Sequence, residues 1–219
     1  MSNITYDYME DYIRSLIQDR TGTLKEIETF ARENGVPIVQ PETAKFLEFM
    51  VTMKKPERIL ELGTAIGFSA ILMYEAAGNN PDIVTVERDE NMIKLAKENL
   101  ERFNLTDKII IKEGECLEVL ETLEEPFDLI FMDAGKGHYN HFLPHCLRLL
   151  KEDGVIVADN VLFRGMVASR DLVKRRKITI VKRMKKYLDM VSNHDDLVTS
   201  VIPMGDGIAV TTRRNKKSE

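Results

Sequence analysis

The sequence lacks several features that would assign a protein to a class at once. It has only two cysteines, Cys116 and Cys146, so no disulfide framework is expected and a reducing cytoplasm is the default location. No apolar run approaches the length of a membrane span, and Met1–Thr5 does not show the basic-then-apolar order of a signal peptide. No internal repeat or low-complexity linker is present either. A cytoplasmic protein without a membrane segment is therefore expected.

Two phosphate-binding motifs are absent as well. The chain contains no Gly-Lys-Ser/Thr, which excludes a P-loop. It also lacks Gly-x-Gly-x-x-Gly, because Ala65 stands where the second glycine would be, and this disfavours a dinucleotide site. What is present is an apolar run that ends in Glu61-Leu62-Gly63, followed by Gly67 and a helical pattern from Ser69. This order predicts a buried strand, a tight glycine turn and a helix N-terminus that favours an anionic ligand.

The length and charge distribution restrict the architecture and the partners. With 219 residues, 43% hydrophobic and 31% charged, the chain fits one α/β domain over residues 1–219. The net charge of −5 is uneven, because the window 170–186 holds nine basic residues and one acid. That window carries +8 and leaves −13 for the rest of the chain. Such asymmetry indicates either a polyanionic partner or a solvated helix face.

The N-terminal segment, residues 1–55, is predicted to be a helical extension. An apolar stripe predicts a helix over residues 4–18, and a second helix over Leu24–Glu33 ends at Asn34-Gly35. Prolines keep residues 36–41 extended, and Pro41 begins a third helix that ends near Met53. These helices are expected either to cover an active site or to form a dimer interface.

From residue 56 the hydrophobic pattern alternates between strands and helices. The strands are expected at Ile59–Leu62, Ile83–Glu87, Ile109–Ile111, Phe127–Asp133 and Val155–Asp159. The helices between them are expected at Ser69–Ala77, Glu90–Phe103, Leu117–Leu123 and Tyr139–Leu149. A basic helix over Leu172–Val191, a hairpin of Leu197–Pro203 with Ile208–Thr212, and a frayed basic tail over Arg213–Glu219 follow. The alternation predicts a mainly parallel sheet with helices on both faces, which binds ligands beyond the carboxyl ends of its strands.

Acidic residues end three of these strands. Glu87 is the last residue of the second strand, where an acid binds ribose hydroxyls in nucleotide-binding folds; a helix N-cap is the alternative. Asp133 and the pair Asp159-Asn160 end the fourth and fifth strands, and such oxygen ligands suit Mg²⁺, Mn²⁺ or Ca²⁺, unless Asp159-Asn160 simply turns the chain. Lys136 is either a general base beside that cation or an ordinary surface lysine.

Together these motifs resemble the cation-dependent class I O-methyltransferases, the catechol and caffeoyl-CoA O-methyltransferase family. The similarity covers nearly the whole chain, and within the family it is greatest to the bacterial tRNA 5-hydroxyuridine methyltransferases. The segments that carry it are Glu61-Leu62-Gly63…Gly67-Phe68-Ser69, Glu87-Arg88-Asp89, Phe127–Lys136 and Gly154…Ala158-Asp159-Asn160. The resemblance implies a Rossmann-like methyltransferase fold, a seven-stranded, mostly parallel sheet with a C-terminal antiparallel hairpin.

The resemblance also implies site residues and cofactors. Mg²⁺ (or Mn²⁺) ligands would be Asp133, Asp159 and Asn160, and Lys136 would be the catalytic lysine, acting with Asp133. The residues implied to bind S-adenosylmethionine are Val39, Glu61, Gly63, Ser69, Glu87, Glu115, Cys116 and Asp133. Family habit implies a homodimer.

The acceptor stays open at this point. A cation chelated by two adjacent oxygens serves a catechol or a 5-hydroxyuridine equally well. The basic window favours the anticodon arm of a tRNA, whose wobble 5-hydroxyuridine would become 5-methoxyuridine, over a small catechol or phenolic substrate. A non-catalytic protein that binds S-adenosylmethionine or RNA is the third alternative.

Overall fold

A computed structural model describes residues 4–215 of the chain. Its strands are β1 (Arg58–Leu62), β2 (Asp82–Glu87), β3 (Ile109–Glu113), β4 (Phe127–Met132), β5 (Leu150–Ala158), β6 (Leu197–Ile202) and β7 (Ile208–Arg213). Its α-helices are α1 (Asp7–Ser15), α2 (Gly22–Glu33), α3 (Pro41–Lys54), α4 (Phe68–Ala77), α5 (Glu90–Arg102), α6 (Cys116–Thr122), α7 (Tyr139–Leu149) and α8 (Ile178–Ser192). A short 3₁₀ turn, Arg175–Lys177, precedes α8.

The strands form one seven-stranded sheet in the order β3-β2-β1-β4-β5-β7-β6. Strands β1 to β5 pair in parallel, whereas β7 runs antiparallel to both β5 and β6. Six strands therefore point the same way, and β7 alone is reversed. This is the Rossmann-like methyltransferase architecture expected from the sequence, and the predicted fold class is confirmed.

Two hydrophobic layers cover the sheet because side chains of each strand alternate between its faces. Ile59 and Phe131 enter the layer that contains residues of α2, α3 and α4. Leu60 and Met132 enter the opposite layer, which contains residues of α6, α7 and α8. Strands β1 and β4, at the centre of the sheet, contribute buried side chains to both layers. The carboxyl ends of these two strands thus form a rigid edge.

The N-terminal helices mostly follow the predicted boundaries. Helix α2 ends at Glu33 with Asn34 as its C-cap, Gly35 has a φ of +64°, and Pro41 is the first residue of α3. Helix α1 is shorter than the predicted span of residues 4–18, and none of its residues is buried. The apolar stripe read from the sequence therefore does not pack into this chain's own core.

Three predictions near the C-terminal half are wrong. Strand β5 begins at Leu150 rather than Val155, because Leu150 pairs with Phe127 across an irregularity in the register. The basic helix begins at Ile178 rather than Leu172, since Lys174 has an extended backbone that interrupts it. Arg213 is not part of a frayed tail: it ends β7, and its guanidinium donates to the carbonyl of Leu147 at 2.6 Å. The rest of the predicted tail from residue 216 lies outside the described residues.

Candidate active site

The glycine turn after β1 brings that strand against the end of β4. Gly63 has a φ of +106°, and a Cβ there would lie 3.0 Å from the Cβ of Ala134 and 3.2 Å from its backbone nitrogen. Any side chain would therefore collide with the residue that follows Asp133. Gly67, with a φ of +82°, is the N-cap of α4. Glycine is required at position 63 for both its φ and its close contact.

The Glu87 carboxylate lies at this turn and is held by backbone donors. Its Oε2 accepts a hydrogen bond from the Ala65 N–H at 2.9 Å, and its Oε1 accepts from the N–H groups of Arg88 and Asp89 at 2.8 and 2.9 Å. The N-cap of α5 is instead Asp89, whose Oδ1 accepts from Asn91 and Met92. The alternative interpretation of Glu87 as a helix N-cap is therefore wrong.

Glu61 is completely buried beneath the turn. The Thr85 hydroxyl donates to Glu61 Oε2 at 2.6 Å, and the Thr64 hydroxyl lies 2.6 Å from that of Thr85. Burial raises the pKa of Glu61 to about 7, although hydrogen bonds from Ser69 and Thr85 oppose the rise. This network joins β1, β2 and the start of α4 under the glycine turn.

Asp133 and Asp159 lie side by side at the carboxyl ends of β4 and β5. The register pairs Met132 with Ala158, so each aspartate is the first residue after its strand. Burial raises the pKa of Asp133 to about 6, against the opposing charge of Lys136. Burial and the neighbouring Asp133 raise the pKa of Asp159 to about 8. The two carboxylates, of which Asp159 is buried and Asp133 half-buried, are thus held where neither is easily ionised without a cation.

Asn160 completes this group. It has a left-handed φ of +61°, and its N–H donates to Asp159 Oδ1 at 2.6 Å. Its side-chain Oδ1 is buried without a hydrogen-bond partner in residues 4–215. A buried amide oxygen without a donor costs free energy unless a ligand satisfies it.

These three residues fit a hard divalent cation. Two carboxylates and an amide oxygen are the ligand types that Mg²⁺ and Mn²⁺ favour, with water or substrate completing the shell. No group of three or more His, Cys, Asp or Glu side chains that could hold a metal occurs among the described residues. Three oxygen ligands from the chain leave the remaining coordination positions of such a cation for water or substrate.

Lys136 lies in the loop between β4 and α7, and it lines the same cleft as Asp133. Gly135, with a φ of +59°, turns this loop, and His138 donates its N–H to the Gly135 carbonyl at 2.6 Å. The Gly137 carbonyl accepts a hydrogen bond from Arg183 of α8 at 3.3 Å. The basic helix therefore supports the loop that carries Lys136.

One open cleft of about 880 Å³ brings most of the predicted site together. The predicted residues that line it are Val39, Gly63, Glu87, Asp133, Lys136, Asp159 and Asn160. Glu61 and Ser69 do not line the cleft and are buried. Glu115 and Cys116 do not line it either: Glu115 forms an ion pair of 2.8 Å with Arg88, and burial raises the pKa of Cys116 to about 12.

The sequence interpretation missed six charged residues that also line this cleft. Glu10 and Arg14 come from α1, Glu42 from α3, Arg88 follows β2, Arg164 follows β5, and Asp206 lies in the β6–β7 turn. The predicted hairpin accounts for a turn between its strands, but it does not predict that Asp206 lines the cleft. No sequence signal brings Arg164 to the cleft, because its position depends on the path of an irregular loop.

None of the helices in the described part of the chain has the length and apolar character that crossing a membrane requires.

The chain is similar in sequence and in structure to known O-methyltransferases. The family model described as O-methyltransferase matches residues 15–214. A catechol O-methyltransferase of Niastella koreensis is 34% identical over 173 residues, which is 76% of this chain and 78% of that protein. A catechol O-methyltransferase of Mycobacterium tuberculosis is 31% identical over 186 residues, 80% of each chain. The structure of the Bacillus cereus O-methyltransferase in complex with SAH (S-adenosylhomocysteine) superposes with a TM-score of 0.83 at 26% identity, covering 97% of this chain and 100% of that one.

Proposed function

The chain belongs to the O-methyltransferase family, and we propose that it transfers the methyl group of S-adenosylmethionine, with Mg²⁺ bound, to the 5-hydroxyl of a 5-hydroxyuridine at the tRNA wobble position. The product is 5-methoxyuridine. The observation that carries the methyl-transfer part is the juxtaposition of Asp133, Asp159, Asn160 and Lys136 at one end of the cleft. The observation that favours a tRNA is the basic helix α8, which contacts the loop of Lys136.

The half of the cleft at the ends of β1 and β2 suits S-adenosylmethionine. The SAH complex of the Bacillus cereus relative supports this cofactor. Glu87, at the edge of the glycine turn, is positioned to bind the ribose hydroxyls, and Gly63 allows close approach of the methionine end. Val39 lines the same cleft. Glu61 and Ser69 support the turn from below, while Glu115 and Cys116 are assigned to the adenine side.

The acceptor half holds the cation and the proton acceptor. Asp133, Asp159 and Asn160 would hold Mg²⁺, which supplies Lewis-acid stabilisation of negative charge on the acceptor oxygen. Lys136 takes the proton of the attacking hydroxyl while the oxygen–methyl bond forms and the sulfur–methyl bond breaks. The sulfonium is already a good electrophile, so the residues of the cleft act mainly by aligning the two reactants.

A small catechol or phenolic acceptor is the second candidate. The two relatives of 31% and 34% identity are catechol O-methyltransferases, and a catechol presents two adjacent oxygens just as 5-hydroxyuridine does. The basic surface is the feature that a catechol leaves unexplained. A non-catalytic role is disfavoured because Asp133, Lys136, Asp159 and Asn160 are all present in one cleft.

The test is methyl transfer from labelled S-adenosylmethionine to 5-hydroxyuridine-containing tRNA and, separately, to a panel of catechols, with Mg²⁺ or with EDTA. We expect Mg²⁺-dependent label in the anticodon that is lost in Asp133→Asn, while exposed Asp107→Asn serves as the matched control. Label in catechols alone would overturn the tRNA proposal. Cofactor binding without transfer to either acceptor would support the non-catalytic alternative.

A further inference from the structure

The loop that follows Asn160 has an unusual backbone. Asn160, Phe163 and Arg164 have φ values of +61°, +44° and +55°, although none of them is glycine. Side chains other than glycine disfavour this region, and clusters of such residues are found where surrounding structure imposes them at functional sites. Contacts from the rest of the protein must therefore hold this loop in its strained conformation.

The β6–β7 turn imposes that conformation. The N–H groups of Val161 and Leu162 donate to the carbonyls of Gly207 and Asp206 at 2.9 and 3.0 Å. The N–H of Arg164 donates to the Asp206 carboxylate. A Cβ at Gly207 would lie 2.4 Å from Leu162 Cγ, so the two segments are in close contact. Arg164 is thus fixed on the wall of the cleft.

The Arg164 guanidinium differs from the other two arginines of the cleft. Arg14 forms an ion pair with Glu42, and Arg88 forms one with Glu115, both at 2.9 Å or less. Within residues 4–215 the Arg164 side chain makes no ion pair or side-chain hydrogen bond, and the residue is exposed. A planar fork of five donors is therefore free to bind an anion beside Lys136 and Asp206.

The loop also connects the cleft to the basic surface. Lys177 of the 3₁₀ turn places its Nζ 5.8 Å from the ring centroid of Phe163. Phe163 and Met166 pack with Val181 of α8 in a small hydrophobic cluster. Phe163 and Met166, which flank Arg164 in this loop, therefore pack against the basic 3₁₀ turn and helix α8. A chain of phosphates bound along Arg175–Lys177 would reach the cleft at Arg164.

From this arrangement we infer that Arg164 binds the phosphate next to the nucleotide that is methylated. The inference rests on the proposed function and assigns a specificity-determining residue to it. The Arg164 guanidinium binds an acceptor only through an anionic group on that acceptor. Such a group is either the phosphate of a nucleotide or the carboxylate of a small phenolic acid. Binding of the phosphate explains why a strained loop presents an unpaired arginine where the basic surface meets the reactive residues.

The test compares pairs of acceptors that differ only in an anionic group, phosphate in one pair and carboxylate in the other. The wild-type enzyme, Arg164→Gln and Arg164→Lys are assayed with 5-hydroxyuridine, with 5-hydroxyuridine 3′,5′-bisphosphate and with a 3,4-dihydroxybenzoate–catechol pair. For Arg164→Gln we expect kcat/KM for the bisphosphate to fall about tenfold or more, mainly through KM, because a charge-assisted hydrogen bond is lost. The value for the nucleoside should be unchanged, and Arg164→Lys should recover part of the loss.

Controls separate this inference from the proposed function. Arg102→Gln, which removes an exposed ion pair on α5, is the matched variant, and binding of uridine 3′,5′-bisphosphate in the presence of SAH gives a second measurement. An equal loss for nucleoside and bisphosphate, or no loss for either, overturns the inference and leaves the proposed function intact. An Arg164-dependent preference for dihydroxybenzoate over catechol, without one for the bisphosphate, assigns the residue to a phenolic acid and overturns it too. If the wild-type enzyme methylates neither these compounds nor 5-hydroxyuridine-containing tRNA, the inference and the proposed function are both overturned.

Discussion

At the scale of single residues, the Tyr139 hydroxyl sets the spacing of the two proposed cation ligands. It is buried within hydrogen-bond distance of the Met132 carbonyl at 2.9 Å and of the Asp159 carbonyl at 3.1 Å. It therefore bridges the ends of β4 and β5. Its ring packs edge-on against Tyr187, with centroids 5.5 Å apart, which fixes its position.

We predict that Tyr139→Phe lowers the free energy of unfolding by about 1–3 kcal/mol, because the buried hydrogen bond that its one hydroxyl hydrogen makes to these carbonyls is lost. Urea unfolding measures this change. Tyr74→Phe is the matched control, since the Tyr74 hydroxyl makes only an exposed 3.4 Å hydrogen bond to Asn80 and its loss should cost about 0.5 kcal/mol or less. Equal effects of the two substitutions would show that the bridge contributes no stability.

Glu61 predicts a pH dependence of stability. The folded protein holds the Glu61 proton up to a pKa of about 7, whereas the unfolded chain releases it near 4.5. Between these values the folded state binds more protons, so this contribution to stability is present at low pH and is lost as the pH rises. Glu61→Gln remains neutral and avoids the loss.

The expected result is that Glu61→Gln gains stability relative to the wild-type protein by about 3 kcal/mol between pH 4 and pH 8. Urea unfolding at several pH values gives the difference, and Glu121→Gln, at an exposed position of α6, controls for the removed charge. A difference between wild type and Glu61→Gln that does not change with pH would contradict the assignment.

Residues whose role depends on a strand end could be predicted from the sequence. Gly63, Glu87, Asp133 and Asp159 each follow an apolar run, and parallel strands bring such positions to one edge. Arg164 could not be predicted, since its place depends on a strained loop held by Asp206. Contacts that join distant segments through irregular backbone leave no periodic signal in the sequence.

At the scale of elements, the helices and strands with strong periodicity were predicted within a few residues. The exceptions have local causes. The Leu150–Phe127 pairing extends β5 across an irregular register, and the extended Lys174 divides the basic segment. Helix α1 differs from the prediction in its orientation. The sequence correctly predicts an amphipathic helix here, but its polar face contacts the rest of the protein and its apolar face points outward.

Helix α1 is attached to the rest of the chain by an ion pair. The Arg14 guanidinium donates two hydrogen bonds of 2.9 Å to the carboxylate of buried Glu42 in α3. Of the helix residues, only Glu10 and Arg14 are not exposed. An ion pair rather than apolar packing therefore holds α1 over the cleft.

We predict that Arg14→Met releases α1. The unpaired Glu42 should cost about 1–3 kcal/mol, discounted from the value for a fully buried pair because Arg14 is partly exposed. Hydrogen exchange should become faster in peptides of α1 and stay unchanged in β1 and β4. Arg102→Met, which breaks an exposed ion pair with Glu26, is the control and should leave α1 protected. Unchanged exchange in α1 of Arg14→Met would show that other contacts hold the helix.

At the scale of the whole molecule, the outward face of α1 is an apolar surface that nothing within residues 4–215 covers. The exposed apolar side chains of this helix and its two caps are Tyr6, Tyr8, Met9, Tyr12, Ile13 and Leu16. The exposed fractions of Tyr6, Tyr8, Tyr12 and Leu16 lie between 62% and 72%, and contiguous exposed apolar side chains of this kind mark interaction sites. A helix whose apolar side faces solvent gains stability only when something covers that side. A second copy of this chain is the occupant we propose, because a symmetric pair of α1 helices buries the same face twice.

The proposed homodimer is tested by sedimentation and by the concentration dependence of thermal unfolding. We expect a mass of roughly twice 25.1 kDa and an unfolding temperature that rises with protein concentration, since association stabilises the folded chain. The double variant Tyr12→Glu/Leu16→Glu should be a monomer whose unfolding temperature does not depend on concentration, because both side chains are exposed within one chain and their replacement does not disturb its core. Lys94→Glu on α5 makes a comparable charge change away from α1 and should remain dimeric. A monomeric wild-type protein at concentrations of tens of micromolar would contradict the proposal, and the apolar face of α1 would then need a different partner.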